Sequence, residues 1–341
     1  MIGPARNVRG GVSVVVNNYY TAGLDKRVNL IYISTMVDGS KLRKLFQAIF
    51  AYIRFLAVLM SMDILHAHMG ADNSFYRKKV FIDTAAFFKK KIIIHQHGGD
   101  FHSFYYKNAS EKKQAMIRRT LNKAVTFLVL AKPWIDFFTA MIPREKIIVL
   151  ENAVRLPEQA KEDFSNRNIL ILSRLCEEKG VGDMLSVLPR ISKKYPDVRL
   201  FLGGIWDSKE LKKQAEKLGD KVKYLGWIDE REKEKYRSLC SVFAMPTHFD
   251  GISLSILEAM AAGMAVITTN VGGIPEVIAD GFQGRMITPG DREALYNVLM
   301  ELLGDEEQRR RYGHAARQQA ETWYSIQDSV EQLCAIYDSI S

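Results

Sequence analysis

Twice along this chain, short apolar runs alternate with helix-patterned segments, and that rhythm restricts the fold more than any other feature. In the first half the runs at 28–34, 64–68, 91–95, 127–130 and 147–150 are rich in Ile, Val, Leu and Phe. Strands separated by helical patterns in this way form a parallel sheet covered by helices. The polar stretch Pro157-Glu158-Gln159-Ala160-Lys161-Glu162-Asp163 then breaks the rhythm and reads as an interdomain linker. It resumes with runs at 168–172, 198–203, 222–225, 242–246, 265–268 and 284–287, and the chain beyond Glu293 is helical. At 341 residues the chain exceeds one ordinary core. The expectation is two doubly wound α/β domains, 1–156 and 165–322, followed by a last helix within 323–341. Ligands of such sheets bind outside the carboxyl ends of the strands.

Only Met1-Ile2 precede Gly3-Pro4, so the first strand is expected to be very short or to begin before Met1. That start has neither the basic n-region nor the apolar core of a signal peptide. The most apolar segment, 45–62, contains Gln47 and Arg54 and reads as an amphipathic helix facing the core or lipid, not a membrane span. Cys176, Cys240 and Cys334 are far apart and have no metal-ligand spacing, which suits a reducing compartment. The expected location is the cytoplasm, with peripheral contact at the inner face of the cytoplasmic membrane.

Charge is divided unevenly. Residues 1–150 hold 23 Lys and Arg against 9 Asp and Glu, whereas residues 151–341 hold 25 against 30. The basic half suits an anionic membrane surface or a lipid-linked phosphate. Its clusters, such as Arg77-Lys78-Lys79 and Lys89-Lys90-Lys91, lie within α/β elements and match no nucleic-acid reader, so no nucleic-acid partner is expected.

The chemistry concentrates around Asp250-Gly251-Ile252-Ser253-Leu254-Ser255-Ile256-Leu257-Glu258. The run before it is a strand, 254–262 is helix-forming, and Gly263 is a helix stop. Asp250 therefore falls in a strand-to-helix loop and Glu258 inside the helix. Loop amides at a helix start, including those of Ser253 and Leu254, suit a phosphate, and a carboxylate suits a sugar diol. Gly272-Gly273-Ile274-Pro275-Glu276 follows the next strand, and its glycines permit close approach of backbone to a ligand.

This arrangement resembles the retaining glycosyltransferases of family 4, whose signature is an acidic residue, seven residues, then Glu. The family usually has Glu at the first position, and this chain has Asp250. The resemblance implies the α/β fold called GT-B, two doubly wound Rossmann-like domains facing a central cleft, with the last helix crossing back to the first domain. It implies that Glu258 holds the nucleotide ribose and that Asp250 contacts the donor sugar. Ser173-Arg174-Leu175-Cys176-Glu177-Glu178-Lys179-Gly180 matches the family's diphosphate-binding segment, so Arg174 and Lys179 would neutralise the leaving diphosphate. The loop Arg9-Gly10-Gly11 would face the donor phosphate or the acceptor, and backbone near Gly226 would face the base. His97, in His97-Gly98-Gly99-Asp100, corresponds to the histidine beside the donor sugar.

The implied reaction moves a hexosyl unit from a UDP- or GDP-sugar to a saccharide or lipid-linked saccharide, as in surface polysaccharide assembly. Neither cofactor nor metal is implied. Three other readings stay open: an epimerase on the same fold, a non-catalytic nucleotide-sugar binding subunit, and a zinc hydrolase. The last is motivated by His66/His68 and His95/His97, two His-x-His pairs that each project to one sheet face.

Overall fold

The computed structural model describes residues 1–98 and 100–340. They form two compact units, Met1–Ala153 with Ile326–Ser341, and Val154–Ser325.

In the first unit six strands run parallel: β1 (Ile2–Pro4), β2 (Ile33–Met36), β3 (Ile64–Met69), β4 (Lys91–Gln96), β5 (Thr126–Val129) and β6 (Ile147–Val149). Their order is β2-β1-β3-β4-β5-β6. Ile92, Ile93 and Ile94 of β4 are all buried, as a strand covered on both faces requires. The run expected at 28–34 enters the sheet late, and β2 begins at Ile33. Before it, the Met1 amine donates to Ile31 O and Tyr32 OH donates to Pro4 O, and Ile33 N donates to Met1 O as the strand begins. The short β1 lies between β2 and β3, with Ile2 opposite both Ile33 and Ala67. The helix Ile326–Ile340 completes this unit through buried Val330, Leu333 and Tyr337.

The second unit has β7 (Asn168–Leu172), β8 (Arg199–Gly203), β9 (Val222–Gly226), β10 (Val242–Ala244), β11 (Ala265–Thr269) and β12 (Gly284–Ile287), all parallel, in the order β12-β11-β10-β7-β8-β9. Strand order reverses between β7 and β10, which places a switch-point crevice outside their carboxyl ends. Residues 157–163 are fastened to this unit. Lys161 donates its backbone N–H to Ala262 O at 3.0 Å and its ammonium to Ser238 O at 2.6 Å, and Pro157 O accepts from Arg317. The unit boundary falls before that stretch, at Ala153 and Val154.

The helix Leu254–Ala261 after β10 ends as expected at Gly263, whose φ is +78°. Met264 N donates to Ala259 O and Gly263 N to Met260 O, a Schellman closure that only a left-handed residue permits without strain.

Candidate active site

In the second unit the crevice is built by the loops leaving β7 and β10, which are neighbouring strands. The β7 loop turns through Glu177–Lys179 into Gly180, where φ is +71°, and the helix Val181–Lys194 follows. A Cβ on Gly180 would lie 2.0 Å from Pro246 O, so glycine lets this loop press against the chain leaving β10. Two bonds fasten the contact, from His248 N and Thr247 Oγ1 to Glu178 O, at 2.8 and 3.0 Å. Lys179 Nζ is thereby delivered to Asp250 Oδ2 at 2.7 Å and to Phe249 O at 3.2 Å. Two residues singled out from sequence, 71 positions apart, form one half-buried ion pair. Arg174 stands on the same loop but is exposed, and it pairs with Asp207 at 3.0 Å and Glu178 at 3.3 Å.

Gly272 serves this loop in a way the sequence did not disclose. Its φ is +57°, and a Cβ there would meet Asp250 O at 1.8 Å. Glycine at 272 thus lets this turn press against the Asp250 backbone. Gly273 N donates to Gly251 O at 3.0 Å, and Gly251 N donates to Asp250 Oδ1 at 2.8 Å, so the turn clamps the carboxylate's position.

Glu258 is buried one turn into its helix and has other partners. Lys233 Nζ lies 3.3 Å from both carboxylate oxygens, and Arg237 NH1 donates to Oε2 at 3.0 Å. Arg237 also pairs with Glu230. Burial alone would lower the Lys233 pKa, but the Glu258 and Glu230 carboxylates hold it above the ordinary lysine value. Sequence reading missed both cations, because Glu230–Leu239 looks like a solvated, charge-rich helix. The available signal was the four-residue spacing of Lys233 and Arg237, which puts them on one face. At the start of the Glu258 helix, Ser253 makes no side-chain cap, its hydroxyl lying 3.8 Å from Met245 Sδ. No side chain caps this start, which leaves the Leu254 amide to an anion, while Ile256 N donates to Ser253 O at 3.1 Å. Gly226 ends β9 with φ +72°, and its carbonyl accepts from Gly204 N at 2.7 Å.

In the first unit the corresponding reversal lies between β1 and β3. Gly10 opens the helix Gly11–Thr21 with an extended φ of 168° and no side-chain cap. Ser13 Oγ ties this turn to Ala5 O at 3.0 Å. Across β3 and β4 the register sets His68 opposite His95, so all four histidines stand on one face. Their rings form a column with centroids 4.0–5.4 Å apart.

Each ring bonds to a neighbour. His66 Nδ1 meets Tyr337 OH at 2.6 Å and His66 Nε2 meets His95 Nδ1 at 3.3 Å, while His68 Nδ1 meets His97 Nε2 at 2.6 Å. Burial, followed by neighbouring charges, drives His66, His68 and His95 well below the ordinary histidine pKa. Burial, then the Lys78 ammonium, lowers His97 to about 3, leaving a neutral imidazole at physiological pH. His66, His68 and His95 offer nitrogens within 4.8 Å of one another and could close on a metal ion, although no carboxylate joins the group among the described residues. Gly99, in the motif after His97, lies outside the described residues.

Lys78 was also missed, hidden within the cluster Arg77-Lys78-Lys79. It is buried, and desolvation followed by the Arg77 charge lowers its pKa to about 7. The unfolded chain keeps this lysine protonated to its ordinary value while the folded chain releases the proton near 7, so stability rises with pH above that point. Between pH 7 and 9 this linkage is worth about 2 kcal/mol. Urea unfolding should show that rise in the wild type, and Lys78→Met should lose it while gaining stability at pH 7.

Residues 155–319 match the family described as glycosyl transferases group 1. The chain is 31% identical to a phosphatidyl-myo-inositol mannosyltransferase of Mycolicibacterium smegmatis over 179 residues, 51% of this chain and 46% of that one. It thus spans about half the length of these mannosyltransferase relatives. A fuller match, 26% identical over 86% of this chain and 87% of the other, is an uncharacterized 41.2 kDa protein in the cps region of Klebsiella pneumoniae. The crystal structure of HepE from Anabaena in complex with UDP and glucose superposes with a TM-score of 0.80 at 18% identity, covering 99% of this chain and 98% of that one. That likeness is one of fold, and the fold is GT-B.

Proposed function

We propose that this chain, whose residues 155–319 match the group 1 glycosyltransferases, moves a hexosyl unit from a UDP- or GDP-sugar to an acceptor hydroxyl, with retention at the anomeric carbon and without a metal. The observation that carries this reading is the Lys179–Asp250 pair at the switch point of the second unit. One group is suited to a phosphate and the other to a sugar hydroxyl, and until a ligand arrives each satisfies the other.

On donor binding the pair separates. The Lys179 ammonium turns to the diphosphate and Asp250 accepts from a sugar hydroxyl, while Glu258, held by Lys233 and Arg237, presents its carboxylate to the ribose diol. Arg174 adds a second cation to the developing diphosphate charge, and the open amides at Ser253 and Leu254 add the positive end of a helix. Gly272 and Gly273 fix the Asp250 loop, and Gly226 offers backbone near the base. In the first unit His97, neutral and oriented by His68 through Nε2, has Nδ1 left to hydrogen-bond a hydroxyl.

Catalysis on this reading is positioning plus charge stabilisation. The bond from the anomeric carbon to the diphosphate oxygen breaks and the acceptor oxygen bonds to that carbon. The acceptor proton passes to the departing diphosphate, which Lys179 and Arg174 hold. The acids bind hydroxyls and do not act as the nucleophile of a retaining glycosidase. The basic first half of the sequence, together with the relative from a cps region and the phosphatidyl-myo-inositol mannosyltransferases, supports a lipid-linked saccharide as acceptor in surface polysaccharide synthesis.

The test is the anomeric configuration of the product, read by proton NMR after chelator treatment. The expected result is a product with the donor's configuration at an undiminished rate. Inversion would overturn the retaining mechanism, and loss of activity restored by zinc would move the chemistry to the histidine column.

A further inference from the structure

We propose that the outward face of the helix Lys41–Leu59 is a docking surface for an anionic lipid bilayer, on which the helix lies parallel to the membrane plane. The helix is apolar on two opposite faces. One, with Ala51, Phe55 and Leu59, is buried against Phe81 of the helix Asp72–Phe87 and the sheet beneath. The other carries Leu42, Phe46, Ile49, Ile53, Leu56 and the following Met60, which are 44–72% exposed. Their spacings alternate between four and three residues, so they form one straight stripe along about 28 Å of helix. A soluble surface helix turns a polar face to solvent, and this one does not.

The stripe continues at its carboxyl end. Tyr52 OH and Thr84 Oγ1 lie 2.8 Å apart and join the two helices, and Lys90 Nζ donates to Met60 O at 3.0 Å. Phe87 and Phe88, at the end of the neighbouring helix, are exposed as well.

Charge selects the occupant. Lys41, Arg43, Lys44 and Arg54 are exposed on the helix, Lys89 and Lys91 follow Phe88, and residues 39–62 contain no Asp or Glu. An apolar face on a helix that carries four exposed cations and no acid, with Asp38 and Asp63 just beyond its ends, is the chemistry of an interfacial helix on anionic headgroups. A second copy would set these cations against their own images, which disfavours a dimer through this face. Among the described residues no helix is long and apolar enough to cross a membrane. The inference goes beyond glycosyl transfer, and its test needs no sugar.

The experiment is flotation of the full chain with vesicles of phosphatidylcholine alone and of phosphatidylcholine mixed with phosphatidylglycerol, at low and high salt. The wild type should float with the anionic vesicles, more weakly at high salt, and poorly with phosphatidylcholine alone. The double variant Phe46→Ser/Ile53→Ser should bind the anionic vesicles about tenfold more weakly. Its thermal midpoint should be unchanged, because both side chains are exposed. Lys41→Glu/Lys44→Glu, which keeps the stripe, should bind more weakly at low salt and match the wild type at high salt. Failure of the wild type to float, or equal flotation of the serine variant, would overturn the proposal. So would a wild-type dimer in light scattering that the serine variant dissolves, which would give the face to a second copy.

Discussion

Glu258→Ala should lower the unfolding free energy by roughly 3 kcal/mol and abolish transfer, whereas Glu258→Gln should keep most of the stability and still lose transfer about tenfold or more. The difference follows from the Lys233 and Arg237 clamp. Alanine strands a buried guanidinium and a half-buried ammonium without their shared anion, and removing one partner of a buried pair costs far more than the pair contributes. Glutamine keeps the shape and one carbonyl oxygen for Arg237, yet it replaces a carboxylate that can take both ribose hydroxyls with a group that can accept from only one side. Urea unfolding and donor turnover measured on the same preparations separate the two effects. Glutamine at the wild-type rate would remove Glu258 from the site, and alanine with wild-type stability would show that the clamp carries no structural load.

Lys179→Met should reduce transfer by about a hundredfold, with a change in stability of less than about 1 kcal/mol. Its ammonium is the cation that the fold itself delivers to the switch point, through the glycine at 180 and the two bonds to Glu178 O. The pair with Asp250 retains some solvent contact, so its loss is tolerated, and Gly251 N still donates to Asp250. Arg174→Met should cost less, since that guanidinium is exposed and shared with Asp207 and Glu178. Steady-state release of nucleoside diphosphate measures both variants. An Arg174 effect larger than that of Lys179 would reverse their roles.

Much of the fold was legible in the sequence because doubly wound sheets are specified locally. The runs at 168–172 and 284–287 are strands with the same bounds, since each is flanked by polar or glycine residues that stop it sharply. The His-x-His pairs were correctly placed on one face by strand alternation alone. The run at 28–34 was misplaced because its apolar composition does not show which part reaches a neighbouring strand. In the site, the motif spacing pointed to Lys179, Asp250 and Glu258 but not to how they are held. The approach of Gly272 to the Asp250 carbonyl, the clamp on Glu258 and the Tyr337 bond to His66 join residues far apart in the chain. No local pattern encodes such contacts. Lys78 shows the same blindness in reverse, a charge that composition assigns to solvent and packing places inside.

The most direct test of the proposed donor site is thermal stabilisation and diphosphate release across a panel of UDP- and GDP-sugars, with the wild type and Lys179→Met side by side. One nucleotide sugar should raise the wild-type unfolding midpoint and be turned over, with both responses much reduced in Lys179→Met. A panel in which no nucleotide sugar stabilises the wild type, or in which Lys179→Met responds as the wild type does, would contradict the assignment of this crevice to a nucleotide diphosphate sugar.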